Sequence, residues 1–172
     1  MKNLLLSLLV LFAINTAKAQ ITYSIGSEIG YSVQEYFGAQ FGFSIGGEYE
    51  INETMAVNLQ TGYSYIMIPD FDASFAANVP LLAGFKYSLD DKVAGMYVMG
   101  QLGIHFFSYT LSILEQNYSD NFLELGTGVS VGYLIGEHID LNLHVNAILG
   151  EDVEDDGMGT FSYIAARIAY KF

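Results

Sequence analysis

Cysteine and tryptophan are absent from the 172-residue chain, proline occurs twice, and only six residues are basic. Without cysteine there can be no disulfide framework, no thiolate metal site and no lipid-modified cysteine behind a cleaved leader. Beyond residue 19 there is also no run of 18 consecutive apolar residues, which excludes helical membrane spans. Positive charge is scarcest of all. With Lys2 and Lys18 in the N-terminal stretch, only Lys86, Lys92, Arg167 and Lys171 stand against 19 acidic residues, and so acidic a surface repels phosphate backbones. Nucleic-acid binding is therefore excluded.

What is present is apolar and aromatic: 52% of the residues are hydrophobic, with 13 Tyr, 12 Phe and 18 Gly. The first 19 residues read as a signal peptide. Lys2 supplies the positive start, Leu4 to Ile14 an apolar stretch broken by Ser7, and Ala17-Lys18-Ala19 the cleavage site. Residues 20–172 remain as one domain, in which the apolar residues are spread by alternation.

A period of two divides this domain into eight strands, roughly 21–33, 39–51, 55–68, 75–89, 93–108, 121–135, 139–150 and 160–172. Each is long enough to cross a bilayer as a tilted strand, and eight is an even number, which brings both ends to one side. The breaks at Asn52-Glu53-Thr54, Asp90-Asp91-Lys92 and Gly136-Glu137-His138 are tight. Those at Gln34 to Gly38, Pro69 to Ser74, Tyr109 to Asp120 and Glu151 to Gly159 are generally longer. Short turns on the periplasmic side and longer loops outside the cell are the expected arrangement, with both termini periplasmic.

The faces separate clearly. In the seventh strand Ile139, Leu141, Leu143, Val145, Ala147 and Leu149 alternate with Asp140, Asn142, His144, Asn146 and Ile148. In the second, Phe41, Phe43, Ile45 and Tyr49 oppose Gln40, Ser44, Glu48 and Glu50; in the third, Val57, Leu59, Tyr63 and Tyr65 oppose Asn58, Gln60 and Ser64. Many glycines, among them Gly26, Gly42, Gly84, Gly103, Gly128 and Gly132, fall on the polar face. Small and charged residues suit the crowded lumen of an eight-stranded barrel, and bulky apolar ones its outside. The fold class expected is all-β, an eight-stranded antiparallel up-and-down transmembrane β-barrel. A soluble lipocalin-like ligand-binding barrel is the alternative; it would bury the aromatics and would need more surface Lys and Arg. The outward aromatics also gather at strand ends, Tyr23, Tyr49, Phe85, Tyr87, Tyr133, Tyr170 and Phe172 at one and Tyr31, Phe41, Phe43, Tyr63, Tyr65 and Phe106 at the other, as in interfacial belts.

The terminal Tyr170-Lys171-Phe172, the segment Val79-Pro80-Leu81-Leu82-Ala83-Gly84-Phe85-Lys86-Tyr87 and the eight strands together resemble small outer-membrane β-barrels of the porin-like or opacity-protein type in Gram-negative bacteria. The resemblance covers the whole mature chain. It implies that Tyr170 and Phe172 are read by the barrel-assembly machinery, and no peptidoglycan-binding domain is expected after Phe172. Pro80 cannot donate to a ladder, so a local irregularity is expected around Ala76 to Leu82.

Glu28, Glu48, Glu50, Lys86, Asp140, Arg167 and Lys171 all fall on the lumenal register, and buried charges must be paired. A salt-bridge network around Arg167 and Lys86 is expected to plug the barrel. No catalytic residue is assigned: His105, with Glu124 beside it, His138 and His144 lack a partnered nucleophile. The segment Glu151, Asp152, Glu154, Asp155 and Asp156 is a weak candidate for a divalent cation. The sequence thus points to a monomeric surface structural or interaction protein without cofactor, contacting outer-membrane lipid and lipopolysaccharide. A narrow ion or solute channel and a lipid-modifying enzyme are the functional alternatives.

Overall fold

The structure is a computed structural model describing residues 21–34, 37–69, 74–90, 95–113, 116–150 and 160–172. Eight strands run in sequence: β1 (Ile21–Ser32), β2 (Ala39–Glu50), β3 (Met55–Met67), β4 (Phe75–Ser88), β5 (Gly95–Ile113), β6 (Gln116–Ile135), β7 (Ile139–Leu149) and β8 (Phe161–Lys171). Each pairs antiparallel with the next, and β8 returns to β1 to close a barrel. The expected segments agree with this except at one connection. Tyr109 to Asp120, read from sequence as a loop, is mostly strand: β5 and β6 continue as a ladder to Ile113↔Gln116. On the β6 side Gln116, Asn117, Ser119, Asp120 and Asn121 put polar residues at both parities and hide the alternation, although Tyr109, Leu111 and Ile113 keep it on the β5 side.

The registers fix the barrel's dimensions. Lateral partners lead from Ile21 through Tyr49, Val57, Phe85, Gly100, Val129, Val145 and Ile164 back to β1 at Tyr31, ten residues further along. With strands about 4.8 Å apart and a rise of about 3.4 Å per residue, such a stagger tilts the strands by roughly 40°. A barrel of this size leaves a lumen that side chains fill.

Alternation then sorts the residues. Ile25, Phe43, Leu59, Leu102, Val129, Leu143 and Ile168 point outward and are exposed, whereas Ser44, Ser64, Lys86, Gln101, His144 and Arg167 point inward and are buried. An apolar belt running around the whole circumference is the outside of a barrel whose solvent is hydrocarbon.

The local irregularity expected near Pro80 is present and confined to two pairs. The β3–β4 pairing omits Gly62 and Tyr63 opposite Val79 and Pro80, then resumes in unchanged register from Thr61↔Leu81 to Ser64↔Asn78. Beside the gap, Thr61 Oγ1 donates to the Pro80 carbonyl at 2.7 Å. That bond satisfies a hydroxyl at the apolar surface. At the tight connections, Asn52 Oδ1 accepts the amides of Thr54 and Met55 at 2.9 and 2.8 Å, and Gly136 turns with φ +62°.

Glycines on the lumenal face make room for larger neighbours. A Cβ on Gly103 would overlap the backbone carbonyl of Leu81, while Gly100, on the outer face, has nothing within 4 Å of that position. Gly103→Val should therefore lower unfolding stability in detergent by about 1–3 kcal/mol, whereas Gly100→Val should leave the urea midpoint essentially where it is.

Candidate functional site

The lumen has two storeys. The storey nearer the chain termini is ionic. Glu48 on β2 lies between two ammonium groups, Lys86 Nζ of β4 at 3.1 and 3.2 Å from its two oxygens and Lys171 Nζ of β8 at 2.8 Å. Lys86 also stands 4.3 Å over the ring of Tyr97 on β5. The Tyr97 hydroxyl donates to Asp140 Oδ1 at 2.8 Å and accepts from Asn142 Nδ2 at 3.2 Å. Asp140 Oδ2 meets Arg167 Nη1 at 3.5 Å, and Arg167 donates onward to Ser44 Oγ at 2.7 Å and Ser24 Oγ at 3.2 Å. Lys171, Glu48, Lys86, Tyr97, Asp140, Arg167 and Ser44 thus form one connected chain across the lumen.

Five of the seven charges expected in the lumen are joined in this way, by ion pairs or through Tyr97. Glu28 lies beside Arg167 in the β1–β8 register, yet its carboxylate accepts the Ser64 hydroxyl at 2.7 Å, while Arg167 pairs with Asp140. Glu50 sits partly exposed at the rim opposite Ala56, outside the ion pairs among the described residues. Tyr97 is the member that sequence reasoning missed. Its neighbours Met96, Val98 and Met99 blur the alternation, and only the parity of Gln101, Gly103 and His105 shows it facing inward. Gly132 is its spatial counterpart, since a Cβ there would overlap the Tyr97 ring.

A cavity of about 30 Å³ lies within this network, lined by Glu48, Asn58, Lys86, Tyr97, Gln101, Asp140 and Arg167 among others. Asn58 Oδ1 and Gln101 Nε2 line it without a protein partner, so the space suits one or two internal waters.

The other storey is apolar, which was not expected. Phe37, Ile66, Ile68, Ala76, Phe107, Ile148, Phe161, Tyr163 and Ala165 form a buried cluster, with Tyr109 and Phe122 packed on it. Phe37 meets Phe161 edge to face at a centroid separation of 5.0 Å; Phe107 stacks on Phe122 at 5.1 Å and lies 5.4 Å from Phe161. Phe107, Phe122 and Phe161 are the inward-facing aromatics of strands whose outward aromatics drew attention to the opposite face, and Phe37 lies just before β2.

The three histidines are engaged separately. His105 is fully buried, with Nδ1 3.2 Å from Asn78 Oδ1; Glu124 neighbours it in the register, but the ring turns to Asn78. His144 Nδ1 is 3.0 Å from Asn142 Oδ1. His138 Nδ1 is 2.9 Å from the Lys171 carbonyl, and its ring stacks on Tyr170 at 5.2 Å. Tyr170 and Phe172 themselves point outward and are exposed, and the Phe172 backbone pairs with Tyr23, which continues the closing ladder to the last residue. The acidic run from Glu151 to Asp156 lies outside the described residues, and among those described no three acidic or histidine side chains converge on a metal site.

Glu48 is the pivot of the ionic storey, because it alone neutralises two buried ammoniums. Glu48→Gln should cost about 3–5 kcal/mol, the expense of uncompensated buried charge, and adding Lys86→Met should recover part of it. Denaturation in micelles, followed by the heat-dependent gel shift, measures both.

Residues 4–172 match the family described as the outer membrane protein β-barrel domain. None of the curated proteins matches the chain significantly in sequence. Among solved structures, the N-terminal β-barrel domain of Pseudomonas aeruginosa OprF is similar at 13% identity with a TM-score of 0.69, over 90% of this chain and 100% of that one. Ail, the attachment invasion locus protein of Yersinia pestis, is similar at 14% identity and TM-score 0.64, over 88% and 97%. The Neisserial surface protein NspA is similar at 14% identity and TM-score 0.56, over 90% and 99%. At such identities the likeness is one of fold; the family match extends over nearly the entire sequence, and the chain belongs to the outer-membrane β-barrel family.

Proposed function

We propose that the protein is a monomeric surface structural or interaction protein of the outer membrane, exported by residues 1–19, with its lumen closed and both termini in the periplasm. The observation that carries this reading is the pair of closures in series, an ionic network near the termini and an aromatic stopper beyond it. A narrow channel would need a continuous wet path, and an apolar constriction of packed rings opposes one by dewetting. An enzyme would need a base beside a nucleophile, whereas the partners of the three histidines are two asparagines and a carbonyl.

The same elements support the orientation. The ends that meet at Tyr23 and Phe172 belong with the short turns, leaving the long β5–β6 ribbon to the cell exterior. Tyr170 and Phe172, exposed beside the seam, are in place for the assembly machinery. Of the four basic residues beyond the leader, Lys86, Arg167 and Lys171 are spent inside the lumen. Contact with anionic lipopolysaccharide then runs through divalent cations that bridge its phosphates to acidic side chains, the run from Glu151 to Asp156 included.

In planar bilayers the wild-type barrel should show no stable open level, and Arg167→Ala alone should stay closed because the stopper remains. Combining Arg167→Ala with Phe107→Ala and Phe161→Ala should produce discrete conductance steps. A steady wild-type conductance, or opening by Arg167→Ala alone, contradicts the proposal.

A further inference from the structure

Glycine weakens a strand interior, and where one stands there it marks a bulge, a tight bend or the close approach of another group. The lumenal glycines belong to the last kind: Gly126 gives way to His105 and Gly132 to Tyr97. Two glycines within strands point outward instead, Gly47 and Gly100. The ring of Tyr23 comes to 3.9 Å from the place a Cβ would take at Gly47, whereas nothing lies within 4 Å of that place at Gly100. No bulge accounts for Gly100, because the ladders run unbroken through Phe85↔Gly100 and Gly100↔Val129. No bend does either, since the described glycines with positive φ are Gly95 and Gly136. What remains is the approach of a molecule from outside the chain.

Gly100 floors a groove in the outer wall, bounded by Phe85 and Tyr87 on β4 and by Val129 and Val131 on β6. Past Val131 and Leu143 the groove continues over Ala166 to Ile29. It follows one lateral row of the sheet, Tyr87↔Val98↔Val131↔Leu143↔Ala166↔Ile29, which the stagger carries from the rim of the chain termini toward the opposite one. The whole length lies in the apolar belt, so its occupant is apolar. A second barrel would present a convex wall that rests on Phe85 and Tyr87 and leaves the floor without contacts; a flexible acyl chain reaches it. The lower end selects the headgroup. From Tyr87 the chain leads to Asp90 and from Tyr133 to Glu137, both exposed acids. Lys86 and Lys171 are turned into the lumen, and Lys92, outside the described residues, is matched in sequence by Asp91. Such a rim repels an anionic headgroup and attracts an ammonium. We propose that the Gly100 groove holds an acyl chain of one phospholipid of the periplasmic leaflet, whose headgroup carries an ammonium, as in phosphatidylethanolamine, set against Asp90 and Glu137. This rests on the orientation given above.

The test uses the full chain folded in micelles with an equimolar mixture of phosphatidylethanolamine and phosphatidylglycerol, the retained lipid being read by native mass spectrometry. One phosphatidylethanolamine should stay on each barrel, preferred by about tenfold or more. Gly100→Leu, which fills the groove from the outer face, should keep the heat-dependent gel shift and reduce retention by about tenfold. Ala83→Leu, also outward but outside the groove, should leave retention unchanged. Asp90→Asn with Glu137→Gln preserves the acceptor for the Met96 amide and should abolish the preference while a lipid is still held. No retained lipid, equal retention by Gly100→Leu, or as large a loss in Ala83→Leu overturns the groove. Phosphatidylglycerol held as well as phosphatidylethanolamine by the wild type, or an undiminished preference in the doubly neutralised variant, overturns the headgroup assignment. Labelling of Glu137→Cys by an impermeant maleimide separates the two levels. If it reacts only once the outer membrane is permeabilised, the orientation holds and failed retention defeats this inference alone; reaction on intact cells defeats the orientation and the leaflet assigned here with it.

Discussion

In hydrocarbon no water is available to a peptide group, and an unpaired amide or carbonyl costs several kcal/mol. Every other feature of the barrel follows from meeting that demand. The ladder closes β8 onto β1 and runs to the last residue through Tyr23 and Phe172. At Pro80, which brings no donor to the ladder, two pairs of the β3–β4 ladder are missing, and a threonine hydroxyl donates to the proline carbonyl.

Closure at eight strands and a ten-residue stagger produces a lumen that must be filled, and this chain fills it in two ways. Near the termini it uses charges held in a connected network, with Tyr97 joining two ion-pair groups into one. Further along it uses rings. Removing one partner of a buried pair is costly although the pair itself contributes little, so the network specifies how the strands face one another more than it adds stability. The apolar cluster supplies burial of the ordinary kind.

Much of this was legible in the alternation. Leu141 and Leu143 against Asn142 and His144 gave the faces, and the lumenal placing of Lys86, Arg167, Asp140 and Glu48 followed from the same parity. The pairing did not follow. Glu28 is the register neighbour of Arg167, but the guanidinium reaches Asp140 instead, since side-chain reach across a lumen is not encoded in a one-dimensional period. The aromatic stopper was hidden because Phe107, Phe161 and Tyr163 lie in strands where both faces carry apolar residues. The β5–β6 ribbon was hidden because Gln116, Asn117, Ser119, Asp120 and Asn121 put polar residues at both parities of the β6 side, although Tyr109, Leu111 and Ile113 keep the alternation on the β5 side. Asp120, in a segment read as a loop, is strand instead, and the acidic run from Glu151 to Asp156 lies outside the described residues.

The account stands on which way the apolar row of each strand points. Nitroxide labels placed singly at Leu141, Leu143, Asn142 and His144 of the bilayer-embedded protein, read by oxygen and nickel-chelate accessibility, measure it directly. Labels at Leu141 and Leu143 should be open to oxygen and closed to the chelate, as in acyl chains, with those at Asn142 and His144 shielded from both. Water-like accessibility at the two leucines, with lipid-like behaviour at the asparagine and histidine, would contradict it.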